Sequence, residues 1–237
     1  MNGPDFLLAS QLFSYPDEGA PQRLATLLDA GAQPPAALRA QVQALIDTPD
    51  AALALRSEYI DLFDRGRGDN SPYETEYGRD RPLRKGAELA DLAGFYRAFG
   101  LDPGASGEMA DHVAVECEFY AVLELKAQAL DAKGDAEGTS IVRDAQKKFL
   151  ADHLGRFVGA LAGRPGVAAS SFYRATADWL CALVAAECAR QGAAPEPATW
   201  FSGQWSDSTE CGPIAGLKLG RGSPTHHDVS PPTKEGA

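Results

Sequence analysis

Apolar residues at helical spacing are the feature of this sequence that most restricts its fold. Between residues 108 and 133 they recur every three or four positions, whereas a half-buried strand would alternate. The stripe consists of Met109, Val113, Cys117, Tyr120, Leu123, Ala127 and Leu130. A second stripe of Val115, Phe119 and Val122 widens the apolar face of this predicted helix. We therefore expect the helix to be buried on two sides.

The same spacing extends along most of the chain, with prolines and glycines between the periodic segments. The predicted helices cover residues 5–15, 21–29, 35–47, 51–64, 86–99, 108–133, 139–161 and 168–191. Alanine and leucine, which favour helices, outnumber the β-branched residues that favour strands. The sequence therefore predicts an all-α fold, a single domain of about eight to nine helices in two closely packed halves.

The predicted helical domain covers residues 1–191, with a hinge near residues 100–112. From residue 192 to residue 237 the chain is rich in proline, glycine, serine and threonine and loses its periodicity. Such a composition buries too little apolar surface to fold. We therefore expect an irregular C-terminal tail that is partly disordered, above all beyond Gly220. The aromatic residues Trp200, Phe201 and Trp205 are candidates to attach the start of the tail to the helical body.

Charge and cysteine content argue against several classes of protein. The 237 residues carry a net charge of −11. This charge argues against nucleic-acid binding, because phosphate contacts depend on lysine and arginine, and it favours a basic partner. The four cysteines form no C-x-x-C pair, so neither a zinc site nor a disulfide framework is expected. With no signal peptide and no apolar run long enough to span a bilayer, the sequence predicts a cytoplasmic protein without membrane insertion.

The best candidate for chemistry is a cluster of two carboxylates and an imidazole, Glu108, Asp111 and His112. In a helix that starts at residue 108, Glu108 and His112 would share one face. A carboxylate beside an imidazole suits general acid–base catalysis. It also suits a metal site, although di-iron bundles use paired Glu-x-x-His motifs and this cluster occurs once. Acidic residues in a first turn also stabilise a helix without any further role.

Other signatures of catalysis are missing from the sequence. It contains no Gly-x-Ser-x-Gly elbow, no phosphate-binding glycine loop and no dinucleotide fingerprint. The sequence therefore predicts no enzyme, no metal and no cofactor. A helical metal-dependent enzyme built on Glu108, Asp111 and His112 remains the alternative.

Two upstream segments add aromatic and acidic side chains. In residues 71–77, Tyr73 and Tyr77 are interleaved with Glu74 and a second glutamate, a combination that suits a basic, partly apolar peptide. A structural loop anchored by its tyrosines is the alternative. Tyr59 lies on the apolar face near the end of the fourth predicted helix, and we expect that end to be buried.

His153 is a further candidate. It lies four residues from Phe149 and four from Phe157, so all three side chains share one helix face. We expect a hydrogen-bonded histidine within the core, since buried polar groups are usually paired.

Taken in order, these segments resemble the chaperones of the TorD/DmsD/NarJ family, which assist the maturation of molybdenum enzymes. The family's aromatic-x-x-Leu-Phe motif matches residues 59–63, and its Pro-Tyr-Glu motif matches residues 72–74. Its Glu-Pro-x-Asp-His motif matches residues 108–112, with Met109 where the family often has proline. Its His-Leu pair followed by an aromatic matches residues 153–157. The Pro-Tyr-Glu segment is most similar to the branch that serves type II enzymes of the dimethyl sulfoxide reductase family.

The resemblance implies a chaperone without catalytic activity. It would bind the catalytic subunit of a molybdenum oxidoreductase until the bis-molybdopterin guanine dinucleotide cofactor is inserted, before twin-arginine export. The N-terminal or signal segment of that subunit is one candidate for the part that is bound. We expect the client to occupy a groove where aromatic residues supply contact area and acids supply charge. The candidate client-binding residues are Tyr59, Tyr73, Glu74, Tyr77, Glu108, Asp111, His112 and Glu116.

An alternative role for the Asp111–His112 pair is structural. In that case the pair caps the helix and joins the two halves of the domain, so that its loss would reduce stability. The sequence does not identify the client enzyme or the oligomeric state.

Overall fold

Helices account for almost all of the regular structure in the computed structural model, which describes residues 2–66, 68–78, 81–102 and 107–200, without the side chains of residues 81–83. The helices are α1 (Gly3–Phe13), α2 (Ala20–Asp29), α3 (Ala36–Asp47), α4 (Pro49–Tyr59), α5 (Arg81–Ala98), α6 (Val113–Ala132), α7 (Ala136–Phe149), α8 (Gly155–Ala162), α9 (Pro165–Ala169) and α10 (Ser171–Gln191). The described residues contain two isolated β-bridges and no strand. The predicted all-α fold is confirmed.

Local sequence sets several helix ends. The Asp135 side chain accepts a hydrogen bond from the Gly138 backbone N–H at the start of α7. Ser170 does the same for the Tyr173 N–H at the start of α10. Each satisfies one of the backbone donors that a helix start leaves free. At the other end of α10, Gly192 adopts a left-handed conformation with φ of 64° and terminates the helix.

The core forms where α1 and α7 pack against α6 and where α8 packs against α10. Phe6 on α1 meets Tyr120 on α6 with ring centroids 4.6 Å apart, and both side chains are buried. Cys117 of the first predicted stripe and Phe119 of the second are also buried, whereas Val115 and Val122 are half-buried. Aromatic packing therefore fixes α6 at the centre of the fold.

Two stretches of π-helix interrupt segments that the sequence predicts as uniform α-helix. They span Ile60–Arg65, after α4, and Leu150–Leu154, between α7 and α8. A glycine follows each one. A Cβ at Gly66 would lie 2.6 Å from the Leu62 carbonyl oxygen, and one at Gly155 would clash with the Leu150 carbonyl oxygen. The wider turns thus leave room only for glycine.

The start of α6 is the main error in the predicted helix boundaries. The sequence predicts a helix from residue 108, but α6 begins at Val113 and His112 is its N-cap. Glu108 and His112 therefore do not share a helix face. The cause is tertiary, because the backbone of residues 111–113 is hydrogen-bonded to residues 72–74. Of the predicted hinge at 100–112, residues 103–106 lie outside the described residues.

The chain after α10 packs on the helical body as far as it is described. The Ala198 N–H donates to the Arg156 carbonyl at 2.8 Å, and the Gly78 N–H donates to the Thr199 carbonyl at 2.8 Å. Trp200 lies against Tyr77, with ring centroids 5.1 Å apart. The predictions for residues 201–237, including Phe201 and Trp205, fall outside the described residues.

Candidate functional site

Residues 71–78 form a connecting segment, with one turn of 3-10 helix at Glu74–Glu76, that joins distant parts of the chain. On one side, the Glu74 N–H donates to the Asp111 carbonyl at 2.8 Å and the Val113 N–H donates to the Pro72 carbonyl at 2.9 Å. On the other side, the segment pairs with Thr199 through Gly78. The 71–78 segment therefore holds the start of α6 and the chain after α10 in place.

Asp111 and His112 fasten this junction with their side chains. His112 Nδ1 accepts a hydrogen bond from the Ala114 N–H at 3.1 Å and so caps α6. Asp111 Oδ2 accepts from the Thr75 hydroxyl at 2.6 Å. Both side chains are fully buried. The geometry is that of the structural alternative, in which the pair caps the helix and joins two parts of the domain.

Three carboxyl groups, those of Glu74, Asp111 and Glu116, are buried close together at this junction. Neither oxygen of Glu116 has a hydrogen-bond partner among the described residues. Burial raises the pKa of Glu116 well above its usual range, and the charges of Glu74 and Asp111 raise it further. Its carboxyl group is therefore protonated well above the pH at which a solvated glutamate ionises.

Most of the predicted client-binding residues do not line a groove. Six of them are buried, namely Tyr59, Tyr77, Glu74, Asp111, His112 and Glu116. Tyr73 is half-buried and Glu108 is exposed, and the Tyr73 hydroxyl donates to Glu108 Oε2 at 3.0 Å. In this structure the six buried residues therefore do not line a groove that is open to solvent. Residue type revealed their polarity, but the burial of Glu74 and Asp111 accompanies the hydrogen bonds between the 71–78 segment and the start of α6. A role in client binding remains a prediction for these residues.

The buried tyrosines belong to aromatic clusters. Tyr59 packs against Phe63, with ring centroids 5.1 Å apart, and against Tyr15 at 5.5 Å. Tyr77 packs against Phe157 at 5.6 Å, and its hydroxyl donates to the Ser71 carbonyl at 2.7 Å. Tyr59 is thus part of the core, as expected for the end of the fourth predicted helix. Tyr77 anchors the 71–78 segment.

A different surface has the features expected of a client site. An open groove of about 500 Å³ lies between α1, α6 and the chain that follows α5. Its apolar lining comes from Val115, Phe119 and Val122 on one face of α6, together with Leu101. Leu101 is 36% exposed. Exposed large apolar side chains around a concave surface are typical of binding sites.

Carboxylates surround this apolar lining, and we call the surface the acidic groove. Asp102, Glu108 and Glu118 line it from three separate parts of the chain, and all three are exposed. Of these, only Glu108 is among the predicted site residues. Asp102 and Glu118 were missed because each is a single acidic residue beside apolar residues in the sequence. Only the fold brings them close to Glu108.

His153 is a buried, hydrogen-bonded core histidine, as the sequence predicts. Its Nδ1 lies 3.0 Å from Glu74 Oε2, and its Nε2 lies 3.2 Å from Asp91 Oδ2 on α5. Its ring also packs against Phe95 and Phe149. His153 therefore connects α5 to the 71–78 segment.

The structure offers no basis for metal chemistry at Glu108, Asp111 and His112. His112 Nδ1 is occupied in capping, and Asp111 Oδ2 is occupied by Thr75. Across residues 2–66, 68–78, 81–102 and 107–200, no three His, Cys, Asp or Glu side chains are grouped so as to hold a metal ion. Within the same ranges, no helix has the length and hydrophobicity needed to cross a bilayer.

An all-α body with an open apolar groove surrounded by carboxylates has the features of a helical peptide-binding protein. Residues 28–163 match the family model described as nitrate reductase delta subunit. The chain belongs to this family, and the resemblance inferred from its motifs is confirmed.

Two curated relatives are each similar to this chain over 153 residues. The chain is 31% identical over 153 residues to the chlorate reductase assembly chaperone protein of Ideonella dechloratans, a match that covers 63% of this chain and 68% of the relative. It is 32% identical over 153 residues to the selenate reductase assembly chaperone protein of Thauera selenatis, again covering 63% and 68%. Both relatives are named as chaperones, so the prediction of a chaperone over an enzyme is confirmed and the metal-enzyme alternative is unsupported.

Proposed function

We propose that this chain is a dedicated assembly chaperone for the catalytic subunit of a molybdenum oxidoreductase. The observation that carries the proposal is family membership together with two relatives named as assembly chaperones of reductases. The chaperone would act in the cytoplasm and hold the subunit while its bis-molybdopterin guanine dinucleotide cofactor is inserted, before twin-arginine export. The chain itself performs no chemistry in this scheme.

The acidic groove is the proposed contact site for the client. Its apolar lining suits the apolar face of an amphipathic helix, and its three carboxylates suit lysine or arginine on the flanks of that helix. The net charge of −11 favours the same kind of partner. An N-terminal or signal segment of the catalytic subunit that combines basic and apolar residues would fit this surface. Tyr73 and Glu108, which meet at the rim, are the predicted client-binding residues that such a segment can reach.

A deletion strain tests the proposed function. Without the chaperone, the client subunit should be present but lack its cofactor, which mass spectrometry and metal analysis of the purified subunit would show. A fully active, cofactor-loaded enzyme in the deletion strain would refute the proposal. Mass spectrometry of complexes purified with the tagged chaperone from its own cell identifies the client.

Paired variants test the acidic groove with a labelled peptide from the N-terminal segment of that client. Glu118→Gln should weaken binding about 2- to 5-fold, as expected for an exposed charge pair, and should reduce its salt dependence. Asp144→Asn, an equal charge change at an exposed position of α7 outside the groove lining, is the control. Leu101→Ala should weaken binding by about fivefold or more. Leu53→Ala, on the exposed face of α4, should not. If each groove variant and its control change the peptide affinity equally, the client binds outside the acidic groove.

A further inference from the structure

The indole ring of Trp200 is held by two side chains of the helical body. Its centroid lies 5.1 Å from that of Tyr77 and 3.9 Å from the guanidinium carbon of Arg164. Arg164 also donates to the Asp69 carbonyl, which fixes the guanidinium group in place. Aromatic pairs and cation–π contacts are both favourable. Trp200 therefore keeps Tyr77, near the end of the 71–78 segment, in a fixed position.

The 71–78 segment is stiff between Tyr77 and Tyr73. The Tyr77 N–H donates to the Glu74 carbonyl at 2.9 Å, and the Glu76 N–H donates to the Tyr73 carbonyl at 3.2 Å. The Tyr77 hydroxyl closes the segment further by donating to the Ser71 carbonyl at 2.7 Å. These three bonds span the single 3-10 turn, so a displacement of Tyr77 also displaces Tyr73.

Tyr73 connects the segment to the acidic groove. Its hydroxyl donates to Glu108 Oε2 at 3.0 Å, and Glu108 lines the groove. Its ring packs edge-on against His112, the N-cap of α6, with ring centroids 5.0 Å apart. A hydrogen bond to an ionised group favours one orientation of that group. A carboxylate offers about four lone-pair sites, so Glu108 can accept from Tyr73 and from a lysine or arginine of a client at the same time.

We propose that Trp200 is a positioning residue of the acidic groove, which sets the place of Glu108 at the rim through Tyr77 and Tyr73. Trp200 is not among the described residues that line the groove, so its effect on a client is indirect. This role rests on the proposed function, because the place of Glu108 matters only if a client binds the groove. Spatial connection alone does not establish coupling between two positions, and a double-mutant cycle measures it.

The affinity for the labelled client peptide, measured in two backgrounds, tests the role of Trp200. In the wild type, Glu108→Gln should weaken binding about 2- to 5-fold, as expected for an exposed charge pair. In the Trp200→Ala background Glu108 has already lost its place, so Glu108→Gln should no longer weaken binding. Glu118→Gln is the matched control, since Glu118 lies on α6 and should weaken binding by the same factor in both backgrounds. An equal effect of Glu108→Gln in both backgrounds would overturn the proposal.

Two conservative variants separate positioning from a general loss of packing. Tyr73→Phe removes only the hydroxyl that donates to Glu108, and it should abolish the effect of Glu108→Gln as Trp200→Ala does. Trp200→Phe keeps a ring against Tyr77 and should restore that effect. Loss of the effects of Glu108→Gln and Glu118→Gln together would show general disruption and would overturn the role of Trp200. If Trp200→Ala does not fold, Trp200→Leu replaces it, with the same outcome expected.

Hydrogen–deuterium exchange of the full chain, followed by NMR, tests the seating of the 71–78 segment without any client. The Glu74 and Val113 amides donate to the carbonyls of Asp111 and Pro72. In Trp200→Ala their protection should fall about 2- to 10-fold, the range expected for a lost aromatic contact. The protection of α1 should not change. Unchanged protection at both amides would show that Trp200 does not hold the segment.

The two experiments distinguish the role of Trp200 from the proposed function. If the wild type does not bind the peptide while the Glu74 and Val113 amides respond to Trp200→Ala, the acidic groove fails as the client site and the seating role of Trp200 stands. If the peptide binds, the amides do not respond and Glu108→Gln acts equally in both backgrounds, the role of Trp200 fails and the chaperone proposal stands.

Discussion

Replacing the buried Glu116 by glutamine should stabilise the protein, and by an amount that grows with pH. In the folded chain this carboxyl group is protonated, because burial and two neighbouring acids raise its pKa. In the unfolded chain it ionises at about pH 4.3. When the pKa of an acidic group is higher in the folded state than in the unfolded state, the protein becomes less stable as the pH rises from the unfolded-state pKa towards the folded-state pKa. A glutamine side chain has nearly the same shape as protonated glutamate and does not titrate, so the variant lacks this pH dependence.

As long as Glu116 stays protonated in the folded chain, the difference in the free energy of unfolding depends only on how far Glu116 is ionised in the unfolded chain. Each pH unit above about 4.3 costs the wild type about 1.4 kcal/mol. At pH 5.5 the Glu116→Gln variant should therefore be more stable by about 1.6 kcal/mol, and the difference should vanish near pH 4. For a chain of this size, about 1.6 kcal/mol corresponds to a rise in Tm of roughly 3 to 6 °C.

Urea unfolding of wild type and variant, followed by circular dichroism at several pH values, measures the difference directly. Glu118→Gln is the control, since Glu118 is exposed two positions further along α6. Its effect should stay within about 0.5 kcal/mol at every pH. A Glu116→Gln variant that is less stable than the wild type, or a difference that does not change with pH, would show that the carboxylate is ionised and paired. The reasoning about its burial would then be wrong.

Two further pairs of variants test the packing. The hydroxyl of buried Tyr173 has no hydrogen-bond partner among the described residues, so Tyr173→Phe should be neutral or slightly stabilising in thermal melts. Tyr120→Phe loses a 2.8 Å hydrogen bond to a buried glutamate and should cost about 1–3 kcal/mol; equal effects would contradict this. Gly155→Ala should destabilise, because its Cβ would clash with the Leu150 carbonyl. At Gly159, in the same helix, nothing lies within 4 Å of a new Cβ, so alanine should stabilise by up to about 1 kcal/mol. A stable Gly155→Ala variant would show that the π-turn can relax.

The sequence predicted the helices because their apolar spacing survives any local change of hydrogen bonding. The π-helical turn at Leu150–Leu154 was not predicted, because one extra residue in a turn hardly changes the spacing of the apolar residues. It placed the start of α6 too early because residues 111–113 bond to residues 72–74, and no local pattern encodes a distant backbone partner.

The composition of the candidate site was predictable from the sequence, and the exposure of its residues was predictable only in part. Glu116 follows Val113 by three positions and precedes Tyr120 by four, and both neighbours are buried. This spacing places Glu116 on the buried face of α6, so its burial could have been predicted from the sequence. Asp102 offered no such signal, because its neighbours in the acidic groove come from other helices.

The double pairing of the 71–78 segment has a consequence for the order in which the chain can fold. Its partners on one side lie at residues 111–113, and its partner on the other side is Thr199. During synthesis the helices up to α4 can therefore form long before this segment has anything to bond with, since chains emerge and fold from the N-terminus. The segment can reach its final place only once the ribosome has passed residue 199. Closing so long a loop is slow, so the last step of maturation should be the docking of residues 198–200. A chain that stops at Gln191 should assemble its helices and leave Gly78 without its partner.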